Sequence, residues 1–318
     1  MIREFRPADA PLLFALMREN FPEEEALYGT QPEAYRRIVR RIYRWDARVV
    51  LGLARAVGRP IFRFLTVEVD GRMVATTLLS FAERAGYVSM VMVDRPYRGR
   101  GYARALLERA RGMVERAHRR YIVLDVLRGN TPAIALYESL GYRDLREVGL
   151  FSRPLASMVP AGPPAPVSLP RGVRPYDSRD RAPLADVATR TIPPPVAEVL
   201  PMPKRALGGS GTLDRILSSE SENWVLEREG APVAWVSVTS SDAMEAAGMA
   251  APIIDESADA AAVDAMLAAA VEWCARRGAV RIVCQVPLHS ARSIESLQRA
   301  GFVLAHTLRT MYRPVAHA

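Results

Sequence analysis

The sequence predicts an α/β fold made of two copies of one unit, each a mixed sheet with helices packed on it. Three observations carry this reading: the length, an internal repeat, and the order of apolar patterns within the repeat. At 318 residues the chain exceeds what one hydrophobic core usually serves, so two domains of about 150 residues each are expected. Shifting the chain by 160 positions places Val93 on Ile253, Ile122 on Ile282, Gly141 on Gly301, Tyr142 on Phe302, Arg153 on Arg313 and Pro154 on Pro314, without a gap. Upstream, Asp70-Gly71 matches Glu229-Gly230, and the openings that start at Phe5 and Val173 also correspond.

Within the first copy, Phe64 to Val69 and Met73 to Phe81 alternate or run apolar about the Asp70-Gly71 turn, which predicts a hairpin. Tyr87 to Val93 is a third strand. Ala103, Leu106, Leu107, Ala110, Met113, Val114 and Ala117 then recur at steps of three and four, the apolar stripe of an amphipathic helix. Tyr121 to Leu127 reads as a buried strand, Pro132 to Ser139 as a short helix stopped by Gly141, and Gly149 to Ser152 as a last strand. The order β, β, β, α, β, α, β implies the mixed sheet. Ala156 to Pro170, rich in proline and small residues and free of charge, reads as an extended linker. The expected organisation is a domain at 1–155, a linker at 156–170 and a second domain at 171–318.

Composition narrows the function classes. A hydrophobic fraction of 49% with 25% charged residues is that of an ordinary globular protein and argues against disorder. No apolar run approaches the roughly 20 residues that cross a bilayer, and the start carries no apolar signal core, so a cytoplasmic protein is expected. Cys274 and Cys284 lack metal-site or disulfide spacing and read as buried thiols, and four scattered histidines suggest no zinc cluster. The excess positive charge behind the net +8 lies in the first half, which suits an anionic partner: nucleic acid, anionic lipid or the phosphates of a cofactor. Every basic residue but Lys204 is arginine, a bias that a GC-rich genome also produces.

Between the third strand and the long helix lies DRPYRGRGYA, Asp94 to Ala103. Gly99 and Gly101 let the backbone approach a ligand, and the helix N-terminus that follows offers unpaired N–H groups and the positive end of its dipole. That combination suits a pyrophosphate, with Arg98 and Arg100 as charge-assisted donors. The competing reading is a tight turn with solvated arginines. A nicotinamide dinucleotide fold is disfavoured, because no G-x-G-x-x-G with an acidic residue about twenty positions on is present.

Arg98-Gly99-Arg100-Gly101-Tyr102-Ala103 resembles the R/Q-x-x-G-x-G/A signature of the GNAT acetyltransferase superfamily, and NTPAIALYESLGY, Asn130 to Tyr142, resembles its second signature at the expected distance. The resemblance implies a tandem two-domain GNAT protein that takes acetyl-CoA as acyl donor, without a metal, and acetylates an amine on a small molecule or protein. It implies that Arg98 to Ala103 hold the pyrophosphate, that backbone N–H groups of Met92 and Val93 meet the cofactor, and that Tyr137 gives a proton to the CoA sulfur. A phenol suits that role, since a thiol of pKa about 8.5 needs only a nearby donor. For Tyr137 the alternative is core packing beside Leu136 and Leu140; Asn130 either orients the cofactor or is a plain N-cap. No general base is assigned: Ser89, Glu83, Asp125 and a water chain remain open.

In the second copy the cradle becomes Ala258-Asp259-Ala260-Ala261-Ala262-Val263, Tyr137 becomes Leu297 and Asn130 becomes Ser290, while apolar positions such as Met266, Leu267 and Ala270 persist. A kept core with a discarded site predicts a degenerate second copy with a structural or acceptor-shaping role. Tyr35 to Phe64 is a basic amphipathic stretch, with Ile38, Ile42, Trp45 and Val49 on one face and Arg37, Arg40, Arg41, Arg44 and Arg48 on the rest. A solvated helix, a lid over an acidic acceptor, and an anionic partner at Arg36 to Arg48 are the competing readings; Glu23 to Glu25 nearby read as a helix-start cluster or a seat for a cationic amine. The rival to the enzyme is a non-catalytic acyl-CoA sensor, or a basic scaffold binding nucleic acid or membrane.

Overall fold

Each predicted hairpin forms where the sequence places two positive-φ residues between apolar runs. In a computed structural model that describes residues 1–29, 62–155, 167–201, 219–241 and 244–315, Asp70 and Gly71 (φ 49° and 77°) join β2 (Phe62–Val69) to β3 (Arg72–Phe81). Glu229 and Gly230 (φ 53° and 78°) do the same for β8 (Ser219–Arg228) and β9 (Ala231–Ser241), the turn geometry that matches strand twist. The linker at 156–166 and most of the basic stretch, 30–61, lie outside the described residues.

The first copy opens with β1 (Ile2–Glu4), α1 (Ala10–Asn20) and α2 (Pro22–Tyr28). After the hairpin come β4 (Ala85–Val93), α3 (Tyr102–Arg116), β5 (Tyr121–Leu127), α4 (Thr131–Ser139) and β6 (Arg143–Pro154). The second copy repeats the series as β7 (Val173–Pro175), α5 (Arg181–Thr191), α6 (Pro194–Val199), the β8–β9 hairpin, β10 (Ala246–Met249) and β11 (Ile253–Ile254). It ends with α7 (Ala260–Arg276), β12 (Arg281–Pro287), α8 (Ala291–Arg299) and β13 (Val303–Pro314). Both openings are pinned by the same ion pair, Arg3 to Asp9 and Arg174 to Asp180, each at 2.7 Å. The two openings thus match as Arg3 with Arg174, not as Phe5 with Val173.

The last strand of each copy is longer than the apolar pattern at Gly149 to Ser152 implies, and it leaves home. The strand order is β1-β2-β3-β4-β5-β13-β6-β12-β10-β9-β8-β7, with β11 beside β9. β13 therefore sits between β5 and β6, and β6 pairs with β12 as well as with β13. The exchange is reciprocal. Arg313 lies opposite Ile122 and Arg153 opposite Ile282. Thr307 accepts from the Arg128 N–H and Glu147 from the Leu288 N–H, each through its carbonyl at 2.9 and 3.0 Å.

Core packing follows the same exchange. Met311 and Val315 of the second copy bury among Leu106, Leu107 and Ile122 of the first, while Phe151 of the first buries among Met266, Trp273 and Ile282 of the second. On the opposite sheet face, Leu27 of α2 packs on Ala246 and Val283, and Val199 at the end of α6 packs on Ala85 and Val123. Cys274 and Cys284 are buried free thiols, and no helix among the described residues is long and apolar enough to cross a membrane.

Because β13 completes the first copy's sheet and core, a chain ended after Phe302 is expected to lose the first copy's cooperative thermal unfolding transition, measured by circular dichroism; an unchanged transition would contradict the interlocked arrangement.

Candidate active site

β4 and β5 run parallel and pair only from Ala85 to Val88 with Tyr121 to Leu124, although both strands continue. Beyond Val88 they splay. Met90 takes φ 55°, and the β3–β4 register shifts between Thr76 and Leu78, so a bulge bends β4 away at that point. A bulky residue in the left-handed region costs about 1–3 kcal/mol, held here by the surrounding core. Past the bulge the Asp94 N–H bonds the Val74 carbonyl on β3, whereas the Val93 N–H points the other way, to Asn20 Oδ1 at 3.4 Å. By the two-residue alternation of a strand, Val91 shares the edge of Val93 and Met92 shares that of Asp94. Met92 lies opposite Thr76 with its side chain fully buried beside Phe5 and Leu13. The backbone groups that reach the splay are those of Val91 and Val93; Met92 is not brought there, a register that depends on the bulge.

The splay opens into a cleft of about 1190 Å³. Asn20 and Glu24 from the α1–α2 corner, Ser89 and Val91 from β4, Asp125 from β5, and Asn130 and Tyr137 line one part of it. The second copy supplies another wall: His306, Thr307 and Leu308 of β13, with Gln285 of β12. Glu83, in the β3–β4 turn, is exposed and does not line the cleft.

The glycine turn behaves as its residues predict. Gly99 and Gly101 take φ 74° and 80°, and a Cβ on either would meet no atom within 4 Å, so the space above them is open. Gly101 is the N-cap of α3 and offers no side chain, which leaves the first-turn N–H groups from Tyr102 and Ala103 onward free for an external acceptor. Arg100 stacks on the Tyr97 ring at 5.2 Å. Arg98 turns back instead: its guanidinium donates to the Val93 carbonyl at 3.1 Å, to Glu19 at 3.0 Å and to Asn20 at 3.2 Å.

The second copy has the same junction closed. The Asp259 carboxylate caps α7 by accepting the Ala262 N–H at 2.8 Å, in the place of Gly101's open turn. Ser293 donates to the Pro252 carbonyl at 2.8 Å, and Arg292 donates to that of Asp255 at 2.8 Å. Asp255 itself accepts from Ser257 and Arg190, which hold its carboxyl below the usual range. A fixed carboxylate at a helix start disfavours a second anion there.

Asn130 caps α4 through its side chain, which accepts the Ala133 N–H at 3.3 Å, and it also lines the cleft, so both readings of that residue are compatible. Asp125, left open by the sequence, accepts from the Tyr87 hydroxyl on one oxygen and from Thr310 on the other, the latter at 2.6 Å. No pattern in the first copy alone points to Thr310, which is 185 residues away. Tyr87 keeps its proton well above the ordinary phenol range, through burial and the neighbouring carboxylate. Tyr137 is buried, packs its ring 5.9 Å from that of Tyr142, and is pushed up to about 12 by burial. Its raised value keeps the phenol neutral, and stability should fall above pH 10, where the unfolded chain begins to ionise. The absorbance difference between the wild type and Tyr137→Phe should show no tyrosinate from this residue below about pH 11; ionisation near 10 would contradict its burial.

Comparisons with known proteins bear on this arrangement. The model of the acetyltransferase (GNAT) family matches residues 15–142. N-alpha-acetyltransferase 30 of Saccharomyces cerevisiae is 39% identical over 57 residues, 18% of this chain and 32% of the relative, so the match spans about a third of that protein's length. A tandem GNAT protein from the clavulanic acid biosynthesis pathway superposes with a TM-score of 0.55 at 15% identity, covering 81% of this chain and 84% of that one. A GCN5-related N-acetyltransferase from Sphaerobacter thermophilus does so with a TM-score of 0.59 at 17% identity, covering 100% and 96%. Residues 15–142, with their splayed strands and open glycine turn, match the acetyltransferase (GNAT) family model, and the chain has the fold of a tandem GNAT protein.

Proposed function

We propose that the protein is an acetyl-CoA-dependent N-acetyltransferase with its one active site in the first copy. The observation that carries this reading is the difference between the two helix starts: open and uncapped at Gly101, closed by a carboxylate at Asp259. The N–H groups at the start of α3 would hold the pyrophosphate, with Arg98 and Arg100 able to swing onto it. Val91 and Val93 would pair with the pantetheine arm as a missing neighbour strand does. For that, the Val93 N–H and carbonyl must exchange Asn20 and Arg98 for the ligand.

Transfer joins the acceptor nitrogen to the acetyl carbon and breaks the carbon–sulfur bond, leaving an amide and free CoA. The backbone edge past the bulge polarises the thioester carbonyl. Asp125 accepts the proton that the attacking amine loses, directly or through water. It reaches the cleft beside the splay, and a carboxylate with about four acceptor positions has two left after Tyr87 and Thr310. Tyr137, neutral over the whole working range, donates to the departing sulfur. The acceptor is a primary amine on a small molecule or a protein; a protein N-terminal amine is one class to test, given the yeast relative.

Calorimetry should detect acetyl-CoA binding to the wild type and none to Gly101→Asp. Free thiol release with a panel of peptides bearing α-amines, polyamines and aminoglycosides should fall on the order of a hundredfold in Tyr137→Phe. Tight binding with no turnover on any amine would sink the enzymatic reading and favour an acyl-CoA sensor.

A further inference from the structure

We propose that Thr310, which belongs to the second copy, is a positioning residue for catalysis in the first, holding the Asp125 carboxylate from the exchanged strand. The inference rests on the reading of Asp125 as proton acceptor. Thr310 is fully buried and stands opposite Asp125 on β5 on one side and opposite Arg146 on β6 on the other. Its hydroxyl donates to Oδ1 of Asp125 at 2.6 Å, while the Tyr87 hydroxyl donates to Oδ2 from β4. Donors on both oxygens, from the two strands that flank β5, fix the carboxylate's rotation, since a turn about its last torsion breaks both bonds at once. The remaining acceptor positions are then held at one orientation toward the cleft.

The counterpart positions show that this clamp is no by-product of the duplicated sheet. Carried by 160 residues, Tyr87 becomes Ala247, Asp125 becomes Gln285 and Thr310 becomes Leu150, and Gln285 does lie opposite Leu150 in the structure. The copy with the closed helix start has neither the carboxylate nor either hydroxyl. The clamp exists only around the open site, although one of its three members comes from the other copy. Thus the second copy would be retained in part because its last strand carries a residue that the first copy's chemistry uses.

Thr310→Val keeps the shape and removes the hydroxyl; Thr310→Ser keeps the hydroxyl. With acetyl-CoA and the best acceptor of the amine panel, the valine variant is expected to lose roughly ten- to a hundredfold in kcat. Its KM for acetyl-CoA should stay within about twofold of wild type, since Thr310 does not itself line the cleft, and Thr310→Ser should recover most of the lost kcat. Wild-type kcat in the valine variant, or a serine variant no better than valine, would overturn the proposal. Asp125→Asn separates the layers. If it is fully active, the reading of Asp125 itself fails; if it is inactive while Thr310→Val is normal, only the positioning role fails.

Discussion

The structure depends on one constraint: the inner edge of β5 must be paired, and the strand that pairs with it comes from the far end of the chain. A strand left open in the middle of a sheet exposes a row of N–H and carbonyl groups whose burial without partners is costly. β13 satisfies β5, β6 satisfies β12, and the two exchanged strands satisfy each other. Among the described residues one continuous thirteen-stranded sheet results. Neither copy is a closed unit, and the cores inherit this, since Met311 and Phe151 are each fully buried among the other copy's residues.

That interlock explains how a copy without a glycine turn can still matter to the site. Its strand β13 runs along the cleft, bringing His306, Thr307 and Leu308 to the wall and Thr310 to Asp125. Its own junction has turned inward. Ser293, Arg292 and Asp259 spend their polar groups on neighbouring backbone, where the first copy leaves the N–H groups at the start of α3 uncapped. The two copies share a fold and differ in whether the first N–H groups of the helix at that junction are capped from within.

Much of this was legible residue by residue. The hairpins, α3, β5 and α4 follow from periodicity, and the open turn from Gly99 and Gly101, because those signals act over a few residues. Three things were not. The edge on which Val91 and Val93 rather than Met92 face the splay is set by the bulge at Met90, an ordinary residue in an unusual conformation. The pairing of the Arg98 guanidinium with the Glu19 carboxylate joins residues far apart in the chain. The reach of β6 and β13 beyond their apolar centres comes from pairing on both sides, which tolerates polar residues such as Arg146 and Thr310.

By itself, then, the sequence determined the repeat, the unit's element order and the copy that keeps an open glycine turn, since each is written in local pattern and in residues with few alternatives. Only the tertiary structure decided which strand completes which copy, which backbone groups face the cleft, and which hydroxyls hold Asp125. Those depend on pairings between residues up to 193 positions apart, and strand register, unlike periodicity, is a property of the partner as much as of the strand.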